Sequence, residues 1–179
     1  MSWYCETAPG HPVHGPYHDR EYGFPVDDET VLFERLSLEI FQAGLSWLLI
    51  LNKREGLNRA FSGFSVDRVA DYDEDDVARL LGDAGIIRNR AKIRAIMANA
   101  NTIRALRTDA GGFASWLAAH HPRSEESWLK LFRTRFKFAG REVVREFLMS
   151  TGYLPGAHTP DCPVHAHIAT LQPPWMQIP

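Results

Sequence analysis

The sequence lacks the features of a secreted or membrane-embedded protein. Only two of its 179 residues are cysteines, which excludes a fold built on several disulfides. The longest apolar run, Leu45 to Leu51, contains Ser46 and is far shorter than the roughly 20 residues that cross a bilayer. The first residues show no basic region followed by an apolar stretch, so no secretory signal is expected. These absences predict a soluble, cytoplasmic protein.

The chain also lacks internal repeats, low-complexity linkers and any sustained alternation of apolar and polar residues. Without that alternation a sheet is not expected, whereas apolar residues at helical spacing recur through most of the chain. A length of 179 residues with 45% hydrophobic side chains fits one domain with a real core. We predict an all-α fold, a compact helical bundle formed by residues 1–179 as a single domain. The first 27 residues show no helical period, so both termini are expected to form an irregular shell.

Helix boundaries follow from the capping residues. Asp27 or Asp28, Ser46 and Ser65 each precede a helical pattern and can accept a hydrogen bond from the first turn. The predicted helices run from Asp27 or Asp28 to Gly44, from Ser46 toward Phe61, over a short segment after Ser65, and over Asp73 to Leu81, Arg88 to Leu106, Gly112 to Ala119, Glu125 to Arg135 and Ala139 to Ser150.

The net charge is small, but charged residues of each sign are unevenly distributed along the chain. The formal net charge is −2, which does not by itself indicate a nucleic-acid-binding protein. Charged residues are mostly acidic from Val66 to Asp83 and all basic from Ile86 to Arg107, and a second basic stretch runs from Lys130 to Arg141. Such stretches can meet a phosphate backbone, although solvated helix surfaces explain them equally well.

The segment between the acidic and basic stretches predicts a tight turn. Gly85 interrupts the helical pattern, and Arg88, Arg90 and Lys92 follow it. This is the arrangement of a helix–hairpin–helix DNA-binding unit, in which N–H groups at the hairpin and the next helix N-terminus hold phosphate oxygens. Because such hairpins usually carry two glycines and this one carries a single glycine, an ordinary αα-hairpin remains an alternative.

The two cysteines lie near opposite ends, and each has a histidine partner. Cys5 precedes His18 by thirteen residues, and His158 precedes Cys162 by four. Two thiolates and two imidazoles would complete a closed, structural zinc shell that ties the termini together. A Cys5–Cys162 disulfide or two unrelated thiols are the alternatives.

The remaining histidines are less informative. His165 and His167 are competing ligand candidates. His120 and His121 end a predicted helix and are expected to have no chemical role. The sequence assigns no role to His11 or to the histidine at position 14.

Several stretches, in this order and spacing, carry a resemblance to a known family. They are Tyr17-His18-Asp19, Leu38-Glu39, Gln42-Ala43-Gly44-Leu45-Ser46-Trp47, Asp83-Ala84-Gly85-Ile86-Ile87-Arg88 with Lys92-Ile93, Phe136-Lys137-Phe138-Ala139-Gly140, and His158 with Cys162. From about Cys5 to Cys162 the chain resembles the bacterial DNA-3-methyladenine glycosylase I family, the zinc-containing branch of the helix–hairpin–helix glycosylases.

The resemblance implies both a metal site and a base pocket. The family's structural zinc ligands fall on Cys5, His18, His158 and Cys162, and its base-recognition residues fall on Tyr17, Glu39 and Trp47. The implied activity is hydrolysis of the N-glycosidic bond of 3-methyladenine in alkylated double-stranded DNA, which leaves an abasic site. The sequence gives no information on oligomeric state, and we expect a monomer because the protein must bend and read duplex DNA.

These residue types suit that chemistry. A base methylated at N3 of adenine carries positive charge and leaves easily, but it must first be flipped out of the stack. Tyr17 and Trp47 could stack on it, at about 1–3 kcal/mol per contact, and aromatic faces favour a cation. The Glu39 carboxylate could accept hydrogen bonds from the base edge, and we assign it the catalytic role. The only acid about twenty residues beyond the hairpin is Asp109, to which the family assigns no role, so a monofunctional enzyme is expected.

The match departs from the family at the pocket rim. Cys5 is followed by Glu6-Thr7 where the family has Gly-Trp, while His14 and Tyr22 replace a common Tyr and the usual Trp. Trp3 or Tyr4 could fill the gap. An altered lesion range, a non-catalytic module that binds damaged DNA, or a zinc hydrolase with an open metal position are the rival readings.

Overall fold

The computed structural model describes residues 2–177, which form helices and connecting loops with no strand. Short 3₁₀ turns cover Ser62–Phe64 and Pro174–Met176. The α-helices are α1 (Ser2–Thr7), α2 (His14–Arg20), α3 (Glu29–Gln42), α4 (Trp47–Ala60), α5 (Val66–Ala70), α6 (Glu74–Gly82), α7 (Arg90–Ala110), α8 (Phe113–His120), α9 (Glu125–Arg135), α10 (Arg141–Ser150) and α11 (Pro163–Thr170). The predicted all-helical fold is confirmed, and no helix of the described part is long and apolar enough to span a membrane.

Two helices organise the core. The 21-residue α7 packs against α3, α5, α6 and α8, and α10 packs against α3 and α9. Helix α3 is buried on almost every face over residues 32–41, which is unusual for a helix that carries charged side chains. A second, smaller apolar cluster lies between the terminal segments and this bundle; its members are Tyr4, Ala8, Tyr17, Tyr22, Met149 and Ala157.

The predicted N-caps of three helices are confirmed. Asp28 Oδ1 accepts from the Val31 amide at 2.9 Å, and Ser46 Oγ accepts from the Leu49 amide at 3.2 Å. Ser65 caps α5 in the same way. Each side chain satisfies an N–H group that has no partner within its helix.

The prediction that both termini are irregular is wrong. The segments expected to be irregular contain three short helices, α1, α2 and α11. Helices of six to eight residues are marginal in isolation, and the period of their apolar residues carries little information at that length. They are held by packing on the bundle and on each other, which periodicity does not report.

The long helix and the last core helix begin later than predicted. Helix α7 starts at Arg90 because the Asn89 side chain caps it, accepting from the Lys92 amide at 3.0 Å. Helix α10 starts at Arg141 after Gly140, rather than at Ala139.

The acidic and basic stretches largely neutralise each other. Arg94 pairs with Glu74 at 2.8 Å, and Arg104 pairs with Asp71 at 2.7 Å. Arg107 joins two acidic side chains, those of Glu29 and Asp67, at 2.7 Å each. Most of the basic face of α7 is therefore already paired within the chain.

Candidate active site and metal centre

A cavity of about 340 Å³ opens where α1, α2, the end of α3, the start of α4 and α10 meet. It brings together the three residues that the sequence assigned to base recognition. Its lining residues include Trp3, Tyr4, Tyr17, Tyr22, Glu39, Gln42, Trp47, Glu142, Arg145 and Glu146. The cavity is lined by five aromatic side chains and has acidic side chains in its wall, as expected for a site that binds a flat cationic ring.

Glu39 is the buried carboxyl of this cavity. It projects from α3 with only 5% of its surface exposed, and no side chain of the described residues donates a hydrogen bond to it. Burial raises the pKa of Glu39 well above its usual range; the negative charge of Glu146 raises it further, and the Arg35 guanidinium opposes the shift. A buried carboxyl without a donor is costly to keep ionised and is poised for a ligand that supplies donors or positive charge.

Tyr17 and Trp47 form an aromatic corner beside Glu39. Their ring centroids lie 5.1 Å apart in an edge-to-face arrangement, which fixes both planes. Trp47 is the first residue of α4, placed by the Ser46 cap, whereas Tyr17 lies on α2 and is 3% exposed. Tyr17 lines the cavity, and its hydroxyl is buried without a hydrogen-bond partner among the described residues. An acceptor on a bound ring would satisfy it.

An ion-pair network behind Tyr17 supports this corner. The Arg35 guanidinium lies 5.0 Å from the Tyr17 ring centroid and donates to Glu21 at 2.8 Å. Arg54 of α4 donates to both Glu21 and Glu34, each at 2.8 Å. The network links α3 with α4 and with the segment after α2. Sequence reasoning missed it, because the partners lie 14 to 33 residues apart and no short motif records them.

Other aromatic residues form the rim of the cavity, where the chain lacks those typical of the family. Both Trp3 and Tyr4 line the cavity, and their rings pack at 5.4 Å, with Trp3 50% exposed. Tyr22 lies 5.7 Å from Tyr17 in a tilted arrangement. An aromatic rim is therefore present despite Thr7, although it is built from earlier residues of α1.

The four predicted metal ligands converge. The ligand atoms of Cys5, His18, His158 and Cys162 all lie within 4.8 Å of one another. Sulfur-to-nitrogen distances are 3.6 Å from Cys5 to His158, 3.7 Å from Cys162 to His158 and 3.8 Å from Cys162 to His18. Tetrahedral zinc bound at 2.0–2.3 Å requires separations of about 3.4–3.8 Å, so the donor set fits such an ion. Both cysteines are free, which excludes the disulfide alternative in this structure.

Hydrogen bonds orient both imidazoles toward the cluster. His18 Nδ1 bonds to the Asp19 carboxylate at 2.7 Å, which leaves Nε2 to face the thiols. His158 Nε2 bonds to the Tyr22 carbonyl at 2.6 Å, which leaves Nδ1 to face them. Burial lowers the pKa of His158 to about 4, so its ring is neutral and keeps a lone pair for a cation. Partners of this kind commonly fix metal-bound histidines.

The other histidines stay outside the metal cluster. His165 packs on Trp175, and His167 packs on Phe24. His11 accepts hydrogen bonds from two amides at the start of α2, at 3.1 Å each, and so acts as a cap. His120 bonds to the Trp116 carbonyl, and the His121 ring packs against Tyr153.

The connection between α6 and α7 is tight because two glycines meet there. A Cβ on Gly56 of α4 would lie 2.4 Å from the Gly85 carbonyl oxygen, so neither backbone could approach the other with a side chain between them. Lys53 donates to the Ala84 carbonyl at 2.7 Å and ties the same turn to α4. The glycine inside α4 thus has a packing reason that only the fold shows.

The three basic residues after Gly85 do not behave alike. Arg88 and Arg90 are exposed and form no ion pair within the described chain. Lys92, in contrast, is only 6% exposed, and its ammonium donates to the Phe41 carbonyl at 2.8 Å and to the Ala43 carbonyl at 2.6 Å. Its expected contact with phosphate is therefore corrected to a structural role: it holds the end of α3.

The comparisons with known proteins agree with this geometry. The methyladenine glycosylase family model matches residues 6–128. DNA-3-methyladenine glycosylase 1 of Escherichia coli is 34% identical over 177 residues, covering 88% of this chain and 94% of that protein. The DNA-3-methyladenine glycosylase of Haemophilus influenzae is 32% identical over 182 residues, covering 91% and 98%.

Solved structures agree with the sequence matches. A crystal structure of 3-methyladenine DNA glycosylase I superposes with a TM-score of 0.80 at 34% identity, covering 88% of this chain and 97% of that one. The enzyme of Staphylococcus aureus superposes with a TM-score of 0.80 at 31% identity, covering 90% and 95%. Because the family model matches more than half of the chain, and relatives at 32–34% identity match it over most of their length, this chain belongs to the methyladenine glycosylase family.

Proposed function

We propose that this protein is a DNA-3-methyladenine glycosylase, which hydrolyses the N-glycosidic bond of 3-methyladenine in alkylated double-stranded DNA. The observation that carries the proposal is the buried Glu39 carboxyl, held without a hydrogen-bond donor in the wall of an aromatic cavity. We propose further that the chain acts as one domain and as a monomer.

The cavity supplies binding groups for a flipped base. Tyr17 and Trp47 offer two faces at 61° to each other, so one ring can stack while the other closes an edge. Stacking of this kind contributes about 1–3 kcal/mol per base. The Tyr17 hydroxyl has no hydrogen-bond partner among the described residues, so it can donate to a ring nitrogen of the base.

Glu39 supplies the complement to the lesion's charge. In the empty cavity burial favours its neutral form, and a cationic base reverses that preference because it brings an opposite charge and N–H donors. An unmodified adenine is neutral and gains less from the same carboxyl. Glu39 therefore contributes to selection as well as to catalysis, and water adds at the sugar while the base departs as a good leaving group.

The proposal includes a monofunctional reaction. A glycosylase that also cuts the strand uses an amine to form a Schiff base with the sugar. None of the side chains described as lining this cavity is a lysine. This supports hydrolysis by water and an abasic-site product.

We assign the Cys5, His18, His158 and Cys162 cluster to a structural zinc ion. Four protein ligands leave no open position, so zinc supplies stability here and no Lewis-acid step. Its neighbours explain why the site matters to the pocket. Tyr4 precedes Cys5, Tyr17 precedes His18, and all four residues pack in the same small region beside the cavity.

Double-stranded DNA is expected to meet the α6–α7 turn. Within residues 2–177 the amides of Arg88 and Arg90 donate to no acceptor, and neither guanidinium group forms an ion pair. Arg88 and Arg90 provide N–H groups and positive charge at the start of a helix, which suits a phosphate oxygen. The Gly85 amide already donates to Asp83 Oδ1 at 2.7 Å, so Gly85 contributes to this contact through the close turn that it allows. Lys92 is not among these contacts, because its buried ammonium donates to carbonyls at the end of α3.

Mass spectrometry of bases released from methylated duplex DNA tests the activity. Wild-type protein should release 3-methyladenine, whereas Glu39→Gln, which keeps the size of the side chain, should release at least tenfold less while remaining folded. Release of no base by folded, zinc-loaded wild-type protein would refute the enzyme and favour a module that only binds damaged DNA. Equal release by both proteins would remove Glu39 from the mechanism.

A further inference from the structure

The cavity contains a second buried carboxyl that no sequence motif indicated. Glu146 lies on α10, and Glu39 lies on α3, which packs against α10. Both side chains line the same cavity. Two acids in one largely apolar pocket cannot both ionise without cost, because each disfavours the charge of the other.

The two carboxyls have different hydrogen-bonding environments. The Tyr22 hydroxyl donates to Glu146 Oε2 at 3.0 Å, and this donor stabilises the ionised form. Glu39 has no such donor within residues 2–177. Burial raises the pKa of both groups, the Tyr22 hydrogen bond opposes the shift at Glu146, and the charge on Glu146 adds to the shift at Glu39.

Other charged and titratable groups around Glu39 do not remove this asymmetry. Arg35 on α3 is a cation that opposes the shift at Glu39, but it already donates to Glu21. Among the described residues, the other charged or titratable groups that line the cavity with the pair are Tyr4 of α1, Tyr17 of α2, Tyr22, and Glu142 and Arg145 of α10. Arg145 is itself shared with Glu125, at 3.8 Å.

We propose that Glu146 is a positioning residue of the base pocket, whose negative charge keeps Glu39 protonated, so that the pair carries a single negative charge before a base binds. The proton resides mainly on Glu39, because Tyr22 donates to Glu146. The positive charge of an alkylated purine favours the second ionisation of the pair, which the charge on Glu146 otherwise opposes. When such a base enters, Glu39 loses its proton to solvent and faces the cation, while Glu146 keeps Tyr22 in the aromatic wall.

The titration of Glu39 itself tests the pair, by NMR of the side-chain carboxyl carbons of protein labelled with [¹³C]glutamate. Glu39→Gln assigns the Glu39 signal. In Glu146→Gln, whose amide oxygen still accepts from Tyr22, the Glu39 midpoint should fall by about one pH unit because the neighbouring charge is gone. Glu55→Gln makes the same charge change at an exposed site of α4 and should leave the midpoint in place. An unchanged midpoint in Glu146→Gln would overturn the proposal.

The pH profile of single-turnover 3-methyladenine release gives a second readout, which rests on the proposed function. Its acid limb should move to lower pH in Glu146→Gln by the same amount as the NMR midpoint, and it should not move in Glu55→Gln. Absence of release by the wild type would refute the proposed function, but the NMR titration would still decide for or against the pair. If Glu146→Gln does not fold, the wild-type titration decides: the signal of each carboxyl in a coupled pair reports both titration steps, whereas the signal of an independent carboxyl reports one.

Discussion

The substitution Lys92→Met tests whether Lys92 stabilises the fold or binds DNA. The Lys92 ammonium makes two hydrogen bonds to carbonyls at the end of α3, at 2.8 and 2.6 Å, and the residue is 6% exposed. Methionine keeps the length and apolar character of the side chain but removes both donors. Hydrogen bonds from charged groups contribute about 1.5–3 kcal/mol each. Ala43 is exposed, so water can replace one of the two, and we expect the free energy of unfolding to fall by about 2–3 kcal/mol.

Urea unfolding followed by circular dichroism measures this loss, and Arg90→Met is the matched control. Arg90 is exposed and forms no ion pair in the described chain, so its replacement should change stability by less than about 0.5 kcal/mol. DNA binding should show the opposite pattern. On undamaged duplex, Arg90→Met should reduce the slope of log affinity against log salt by about 0.9, while Lys92→Met leaves the slope unchanged. A smaller salt slope in Lys92→Met with unchanged stability would refute the structural assignment.

Three further predictions concern stability. Burial raises the folded-state pKa of Glu39, so its contribution to the free energy of unfolding is complete below the unfolded pKa of about 4.3 and is lost as pH rises through the folded value. The melting temperature of Glu39→Gln should therefore rise relative to that of the wild type toward pH 8. Parallel curves of melting temperature against pH would contradict the shift in pKa. Gly56→Ala should destabilise the fold by about 1–3 kcal/mol, because its Cβ would lie 2.4 Å from the Gly85 carbonyl oxygen. Gly82→Ala should not destabilise it, because a Cβ at Gly82 meets nothing within 4 Å. Equal chemical-denaturation midpoints for the two variants would show that α4 shifts freely. Chelation of zinc, or the substitution Cys162→Ser, should lower the metal content measured by elemental mass spectrometry and also lower the melting temperature. Full retention of metal by Cys162→Ser would count against the proposed ligands.

Helix caps and long helices were predictable because they depend on local chemistry. Asp28, Ser46 and Ser65 act as caps through bonds that span three residues, so the signal lies within a short window. The short terminal helices were not predictable in this way. Their apolar residues serve the small cluster beside the cavity, whose members come from both ends of the chain.

The basic stretch shows why charge along the chain is an incomplete guide. Arg88, Arg90 and Lys92 stand within five positions of one another, yet the structure exposes two of them and buries the third. Lys92 turns inward because the end of α3 presents carbonyls without partners at that point, 49 to 51 residues away in sequence. Arg94, further along the same helix, pairs with Glu74.

By itself the sequence determined the residue types of the site and their order: the two Cys/His pairs, Tyr17, Glu39 and Trp47, and the turn at Gly85. The tertiary structure alone decided that Trp3 and Tyr4 rebuild the aromatic rim and that Glu146 joins Glu39 in one cavity. The difference is physical. Capping and motif spacing are local, whereas the pKa of a carboxyl depends on burial and on every charge within several ångströms, and these come from segments more than a hundred residues apart.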